Sequence, residues 1–407
     1  MASESEVPMI RLGFVFPDLI SGKGVERYSL EVVRFLATKF EVHVFANRWE
    51  SLPESVHLHK VWAIGQPYFL RLLSFGLAAR CSIDSRLLDI VSVQSCCAFT
   101  ADLVTAHSCH KAYVDFCKTM GWWERLRKAL NPFHYVALFF WSRLLSPPDS
   151  PYVIAVSERV RRELIIQYRL PEDRVLTIPP GVDLVRFNYT NRFELRSEQR
   201  RVFGFREDDF VVVFVGNEFR RKGLEFLLDA LVHVRDPKIR LLVVGQPDSL
   251  TRIQYRILTL RKGISGRVKF VGRQSRMEAV YAASDLFVFP SLYEAFSAVI
   301  LEAASSGLPV LATNVGGVEE FLVDGYNGWF IRRGGRDIAA RIERLAENRE
   351  LLRMTGENAR KSVTPYAWDV IRERLIEAYQ MVACRKGDRL SLGSAGSEAV
   401  ISRTQEK

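Results

Sequence analysis

The stretch from Phe289 to Gly317 constrains this chain more than any other. It reads Phe-Pro-Ser-Leu-Tyr-Glu-Ala-Phe-Ser-Ala-Val-Ile-Leu-Glu-Ala-Ala-Ser-Ser-Gly-Leu-Pro-Val-Leu-Ala-Thr-Asn-Val-Gly-Gly. A strand-length apolar run, Leu286 to Pro290, feeds a loop. The apolar content of Ser297 to Ser305 and the closing Gly307 predict a helix. A second apolar run, Pro309 to Thr313, follows it. The result is a βαβ unit whose helix opens at the carboxyl edge of a parallel sheet. There α/β folds bind nucleotides, and the amides around Ala295 to Ala298 are offered to an anion. Glu294 falls in the loop and Glu302 within the helix. Taken alone, the pair could equally be a solvated loop Glu and a capping helix Glu.

One such unit cannot account for 407 residues, a length too great for a single core, so two domains are the default. With 48% apolar and 26% charged residues the chain is too apolar for disorder. The net charge of +10 favours anionic partners, but no Lys/Arg block or basic stripe with aromatic platforms marks a nucleic-acid binder. Six cysteines (81, 96, 97, 109, 117 and 384) show no Cys-x-x-Cys spacing, and the N-terminus is acidic where a signal peptide is basic. Reduced thiols in a cytoplasmic protein fit best. Tyr135 to Trp141 falls far short of the ~20 apolar residues that a spanning helix needs.

Earlier in the chain, the strand Met9 to Phe16 leads through a loop bearing Gly22 and Gly24 into a helix from Val25 to Phe40, the opening unit of a nucleotide-binding sheet. Further strands are expected at Glu41–Ala46, His57–Trp62, Asp89–Gln94 and Asp102–Ala106. His107-Ser108-Cys109-His110 follows the last of these. A metal reading of His107, Cys109 and His110 lacks a fourth ligand at usual spacing. From Gly121 to Leu145 aromatic and basic residues interleave, suiting either a headgroup interface or a core-packing helix. Residues 188–208 read as a polar linker with helical content. The β-branched strand Phe210–Val215 then enters Gly216-Asn217-Glu218-Phe219-Arg220-Arg221-Lys222-Gly223, where cations beside a helix N-terminus make a pyrophosphate clamp.

Glu-Ala-Phe-Ser-Ala-Val-Ile-Leu-Glu-Ala, then Gly-Leu-Pro-Val and Gly-Gly-Val-Glu-Glu, resembles the signature of glycosyltransferase family 4. The resemblance spans about Met9 to Ala383. It implies an α/β protein of GT-B type: two Rossmann-like domains facing across a cleft, with a C-terminal helix crossing back to the first. The expected division is 1–185 for acceptor binding and 186–365 for the nucleotide sugar. A crossover helix at 366–385 and a disordered tail at 386–407 complete it.

By resemblance, Glu294 touches the donor sugar's hydroxyls and Glu302 holds the nucleotide's ribose. Ala295, Phe296 and Ser297 supply amides, and the backbone near Gly272 edges the base. The loop with Gly22 and Gly24 approaches the diphosphate, and His107 contacts the sugar near its reacting carbon. Lys222 matches the family's phosphate-binding Lys. Asn217 stands where the family has Arg, so Arg221 or Arg220 is the substitute. His107, Glu294 and Lys222 are thus the expected catalytic residues.

The expected reaction is retaining hexosyl transfer from a UDP- or GDP-sugar to a glycan or lipid-linked hydroxyl, as in bacterial members that build lipopolysaccharide core. No Asp-x-Asp occurs in the chain, so no metal is required, and the nucleotide sugar is a substrate rather than a cofactor. An epimerase of the same fold and a non-catalytic nucleotide-sugar binder are the alternatives. A peripheral position on an anionic inner membrane face is also expected, anchored by Trp122, Trp123, Phe139, Phe140 and Trp141.

Overall fold

Seven parallel strands form the main sheet of the first of two units in this computed structural model. Residues 9–20, 24–84, 86–146 and 150–404 are described, without the side chains at 123, 124, 127, 191 and from 388 onward. The first unit comprises 1–178 and 372–407, the second 179–371. The strands of the first are β1 (Arg11–Val15), β2 (Asp18–Leu19), β3 (Glu41–Ala46), β4 (Arg48–Trp49), β5 (His57–Lys60), β6 (Ile90–Gln94), β7 (Leu103–Ala106), β8 (Tyr152–Ala155) and β9 (Val175–Thr177).

The sheet runs β5-β3-β1-β6-β7-β8-β9, while β2 and β4 pair separately. Strands β6, β7 and β8 are buried along their whole length, including the polar Ser92, Gln94 and Thr105. Strand β5, at the edge, is exposed throughout and carries His57, His59 and Lys60, the polar composition that blunts a free edge.

The aromatic stretch divides into two helices, Trp122–Ala129 and Pro132–Leu144. The second buries His134, Ala137, Phe140, Trp141 and Leu144. Phe140 lies against the helix Tyr68–Ser82 at Gly76, where an added Cβ would meet the ring at 2.5 Å. Phe140 and Trp141 are therefore core residues, not membrane anchors. Trp122, Leu126, Leu130, Tyr135 and Phe139 remain exposed, and the Trp123 side chain lies outside the described residues.

The last helix runs Trp368–Thr404. Tyr379 Oη meets Ser92 Oγ at 2.8 Å, Arg374 donates to the Thr177 carbonyl, and Lys386 pairs with Asp102 at 2.8 Å. Helix thus continues past Ala383, and the expectation of a disordered tail falls mostly on side chains that are not described.

The second unit contains β10 (Phe210–Val215), β11 (Ile239–Val244), β12 (Val268–Gly272), β13 (Leu286–Phe289), β14 (Val310–Ala312) and β15 (Gly328–Phe330). Their order is β12-β11-β10-β13-β14-β15, all parallel. Alternation along β10 sends Val211, Val213 and Val215 into one core and Phe210, Val212 and Phe214 into the other.

This unit begins earlier than the expected boundary at 185. Val182 bridges to Ala367, and Phe187 is fully inside the core with its carbonyl accepting from Ser305 Oγ at 2.6 Å. Nor are residues 188–208 a linker. They form the helix Tyr189–Phe203, capped by Asn188, with Arg192, Arg196 and Arg200 one turn apart. Arg192 and Arg196 donate to the Ser284 carbonyl, and Arg196 and Arg200 to the two oxygens of Asp285 at 2.5 and 2.6 Å. The polar composition that reads as a linker is an arginine ladder, fully buried only at Arg200.

Candidate functional site

In the second unit the strand order reverses between β10 and β13, whose carboxyl ends lie side by side. Two loops leave this point, Gly216–Gly223 and Pro290–Ser297, and each enters a helix, Leu224–His233 and Ala298–Ser305. Open α/β sheets bind ligands at such a switch point.

The loops are laced together. Leu292 N and Ser291 Oγ donate to the Arg221 carbonyl, and Thr313 Oγ1 donates to the Ser291 carbonyl at 2.6 Å. Gly223 has φ of 78°, and a Cβ there would collide with the Pro290 carbonyl. Gly316 is equally constrained, since a Cβ would strike the Glu294 carbonyl. The approach of three backbones thus dictates these glycines.

Glu294 is held in this frame with its side chain 9% exposed. Its carboxylate accepts from Arg221 Nη1 at 3.1 Å and is ion-paired with Lys222 Nζ. Lys222 also lies 4.7 Å from the centre of the Phe289 ring. Burial pushes its ammonium below the ordinary lysine value, against the pull of Glu294. Burial likewise opposes charge on Arg221, but Glu294 and Glu218 outweigh it and hold the guanidinium charged.

Arg221 spends four donor contacts on Glu218 Oε1 and Oε2, the Tyr293 carbonyl and Glu294. A guanidinium has five N–H groups, so Arg221 chiefly positions Glu294. Asn217 does not join them. Its Oδ1 accepts from Gln246 N at 2.8 Å and ties the ends of β10 and β11. Glu302 is buried in the following helix, where Tyr281 Oη donates to its Oε2 at 3.0 Å. Ala295 and Phe296 are half-buried and Ser297 buried just ahead of that helix. Gly272, at the end of β12, has φ of 70° and gives its carbonyl to Gly245 N at 2.9 Å.

Glu218 and Tyr281 were not expected from the sequence. Glu218 lies inside the Gly216–Gly223 motif, three residues before Arg221, which is the one signal that could have found it.

In the first unit His107 follows β7. Its Nε2 lies 3.3 Å from Gln94 Oε1, and its ring meets Tyr28 edge-on at 5.0 Å. A carbonyl oxygen only accepts, so Nε2 carries the proton and Nδ1 is left as an acceptor. Burial lowers the His107 pKa to about 4, which keeps the imidazole neutral near pH 7. His110 turns inward, with Nε2 3.1 Å from His134 Nδ1. Burial pushes the Cys109 thiol up to about 12. Gly24 begins the helix Gly24–Leu36, and Gly22 lies outside the described residues.

Comparison with known proteins bears on both units. Residues 22–186 match the model for "Glycosyltransferase Family 4", and residues 196–362 that for "Glycosyl transferases group 1". A D-inositol 3-phosphate glycosyltransferase of Actinosynnema mirum is 30% identical over 323 residues, covering 70% of this chain and 76% of that protein. The chain belongs to glycosyltransferase family 4.

An uncharacterised glycosyltransferase of Methanocaldococcus jannaschii is 27% identical over 80% of this chain and 85% of its own. Among solved structures, WaaG, a glycosyltransferase involved in lipopolysaccharide biosynthesis, superposes with a TM-score of 0.77 at 21% identity, covering 89% of this chain and 98% of WaaG. Anabaena Alr3699/HepE in complex with UDP-glucose gives 0.69 at 18% identity, covering 91% and 100%. The fold of this family 4 glycosyltransferase is accordingly of the GT-B class.

Proposed function

We propose that the protein moves a hexosyl group from a nucleotide-diphosphate sugar to a hydroxyl of a glycan or lipid-linked acceptor, with retention of configuration. The observation that carries this reading is the Glu294 carboxylate, buried and held by Lys222 and Arg221 at the strand switch point, with Glu302 on the helix that follows. The UDP-glucose bound by Anabaena HepE supports a nucleotide sugar as donor.

A carboxylate offers about four lone-pair directions, so two remain on Glu294 to accept from sugar hydroxyls. Glu302, steadied by Tyr281, accepts from the ribose. Lys222 and the amides of Ala295 to Ser297 meet the charge that develops on the departing diphosphate, each preorganised donor being worth ~2.7–4 kcal/mol. The bond from the anomeric carbon to the phosphate oxygen breaks while a bond to the acceptor oxygen forms on the same face. The acceptor's proton passes to the phosphate. The family resemblance assigns neutral His107 to the donor sugar near its reacting carbon. The reading needs no metal ion.

No helix among the described residues is long and apolar enough to cross a membrane. We place the enzyme on an anionic cytoplasmic membrane face, reached through the exposed residues of 122–139.

A thermal-shift screen of nucleotide sugars, followed by mass spectrometry of products with acceptor present, tests the proposal. A donor at ~100 times its dissociation constant raises stability by about 2.7 kcal/mol, and the acceptor gains one hexose mass. An epimerised or merely hydrolysed donor, with the acceptor untouched, overturns it.

A further inference from the structure

At the free edge of the first sheet lies a cluster that the transfer reaction does not use. Strand β3 carries Glu41 and His43, and β5 carries His57 and His59. Their pairing sets His43 opposite His57 and Phe45 opposite His59, so alternation brings all four polar side chains to one face. Glu41 Oε1 lies 3.1 Å from His43 Nε2 and 3.9 Å from His57 Nε2. The rings of His43 and His57 stack at 4.6 Å, and His59 stacks on Phe45 at the same separation. One donor atom each from Glu41, His43 and His57 falls within 4.8 Å of the others.

We propose that Glu41, His43 and His57 bind a divalent transition-metal cation of the zinc class, with water in the fourth position. Two imidazoles and a carboxylate suit zinc, nickel or copper rather than magnesium or calcium, which prefer oxygen. Zinc–nitrogen bonds of about 2.0–2.1 Å place tetrahedral ligand atoms roughly 3.4 Å apart. The Glu41–His43 spacing already meets this, and His57, with its side chain 56% exposed, has room to swing inward.

His59 supplies the outer partner that metal-bound imidazoles use. Its Nε2 lies 3.0 Å from His43 Nδ1 and fixes which nitrogen of His43 faces Glu41. The bound ion clamps the exposed four-residue edge strand to β3 and so stabilises the first unit. It takes no part in transfer.

The test uses the full chain, stripped with chelator and titrated with zinc chloride by calorimetry and with cobalt(II) by visible absorption. One ion per chain, the absorption of four-coordinate cobalt and a rise in melting temperature with zinc are expected. Glu41→Gln or His57→Gln, both surface changes, should abolish saturable binding at concentrations that fill the parent. His59→Gln should weaken it ten- to a hundredfold. Undiminished affinity in the Glu41→Gln/His57→Gln double variant, or no cobalt absorption in the parent, overturns the site.

Discussion

Lys222 and Glu294, 72 residues apart in sequence, form an ion pair at the carboxyl ends of the adjacent parallel strands β10 and β13. Each keeps the other's charge tolerable away from water. Removing one leaves an uncompensated buried charge, whereas removing both leaves none. Lys222→Ala and Glu294→Ala should therefore each lower stability, and the double variant should lose less than their sum by ~0.5–3 kcal/mol. Denaturant unfolding of the three variants measures this. Strict additivity would show that the pair is not coupled.

The two glutamates should separate by ligand. If Glu302 holds the ribose as proposed, Glu302→Ala should weaken the intact donor and the free nucleoside diphosphate alike. If Glu294 holds the sugar, Glu294→Ala should weaken the donor and spare the diphosphate. Calorimetry with the diphosphate alone decides between them, and equal losses in both variants would remove the division of roles.

How much of this was legible in the sequence depended on distance along the chain. Glu294, Glu302 and the helix that carries Glu302 lie in one short motif, and Lys222 stands in a loop bounded by glycines. Arg192, Arg196 and Arg200 misled because their partners lie far along the chain, the Ser284 carbonyl for Arg192 and Asp285, 85 residues beyond Arg200, for the other two, and composition alone cannot tell a solvated charge from a paired one. Phe140 and Trp141 misled differently. The helix Pro132–Leu144 is apolar nearly all round, so its periodicity does not say which face meets Gly76. The cluster of Glu41, His43, His57 and His59 depends on strand register, and the spacing of its residues in sequence gives no hint of a site.

Gly223 and Gly272 both have positive φ, yet only Gly223 has a backbone oxygen where a side chain would go. Gly272→Ala should cost the ~1–3 kcal/mol of left-handed strain alone. Gly223→Ala adds a collision with the Pro290 carbonyl, so it should melt lower and lose donor affinity as the loop carrying Lys222 shifts. Melting curves and donor titration of both variants check this. Equal effects would mean that the loop gives way without cost.

His107, proposed to act in transfer, also bears on acid stability. Its folded pKa is about 4, below the ~6.5 of an unfolded histidine. The unfolded chain thus binds the proton first as pH falls, and stability declines from about pH 6.5 down to 4, by an order of a few kcal/mol. His107→Gln should flatten part of this decline. His107→Ala should lower turnover far more than nucleotide binding, since its contact matters most in the transition state. His110→Ala should be milder. Should His110 prove critical for turnover, the assignment of His107 falls.

The exposed face of residues 122–139 should carry the enzyme to anionic membranes. Between Lys111 and Arg169 the sequence holds ten basic and five acidic residues. Each basic residue near an anionic leaflet contributes about 1 kcal/mol. Trp122 and Leu130 are 74% and 72% exposed and supply apolar contact beside this charge. A lipid-linked acceptor would then be met on a surface rather than in solution. Sedimentation with vesicles should show attachment that needs anionic lipid, falls with salt and falls again in Trp122→Ala/Leu130→Ser, which should still fold. Phe140→Ala is the contrast. It empties a core position and should cost ~3–5 kcal/mol of stability while leaving the lipid dependence of the folded fraction unchanged. Attachment indifferent to lipid charge, or none, would leave these exposed side chains without a role at the membrane.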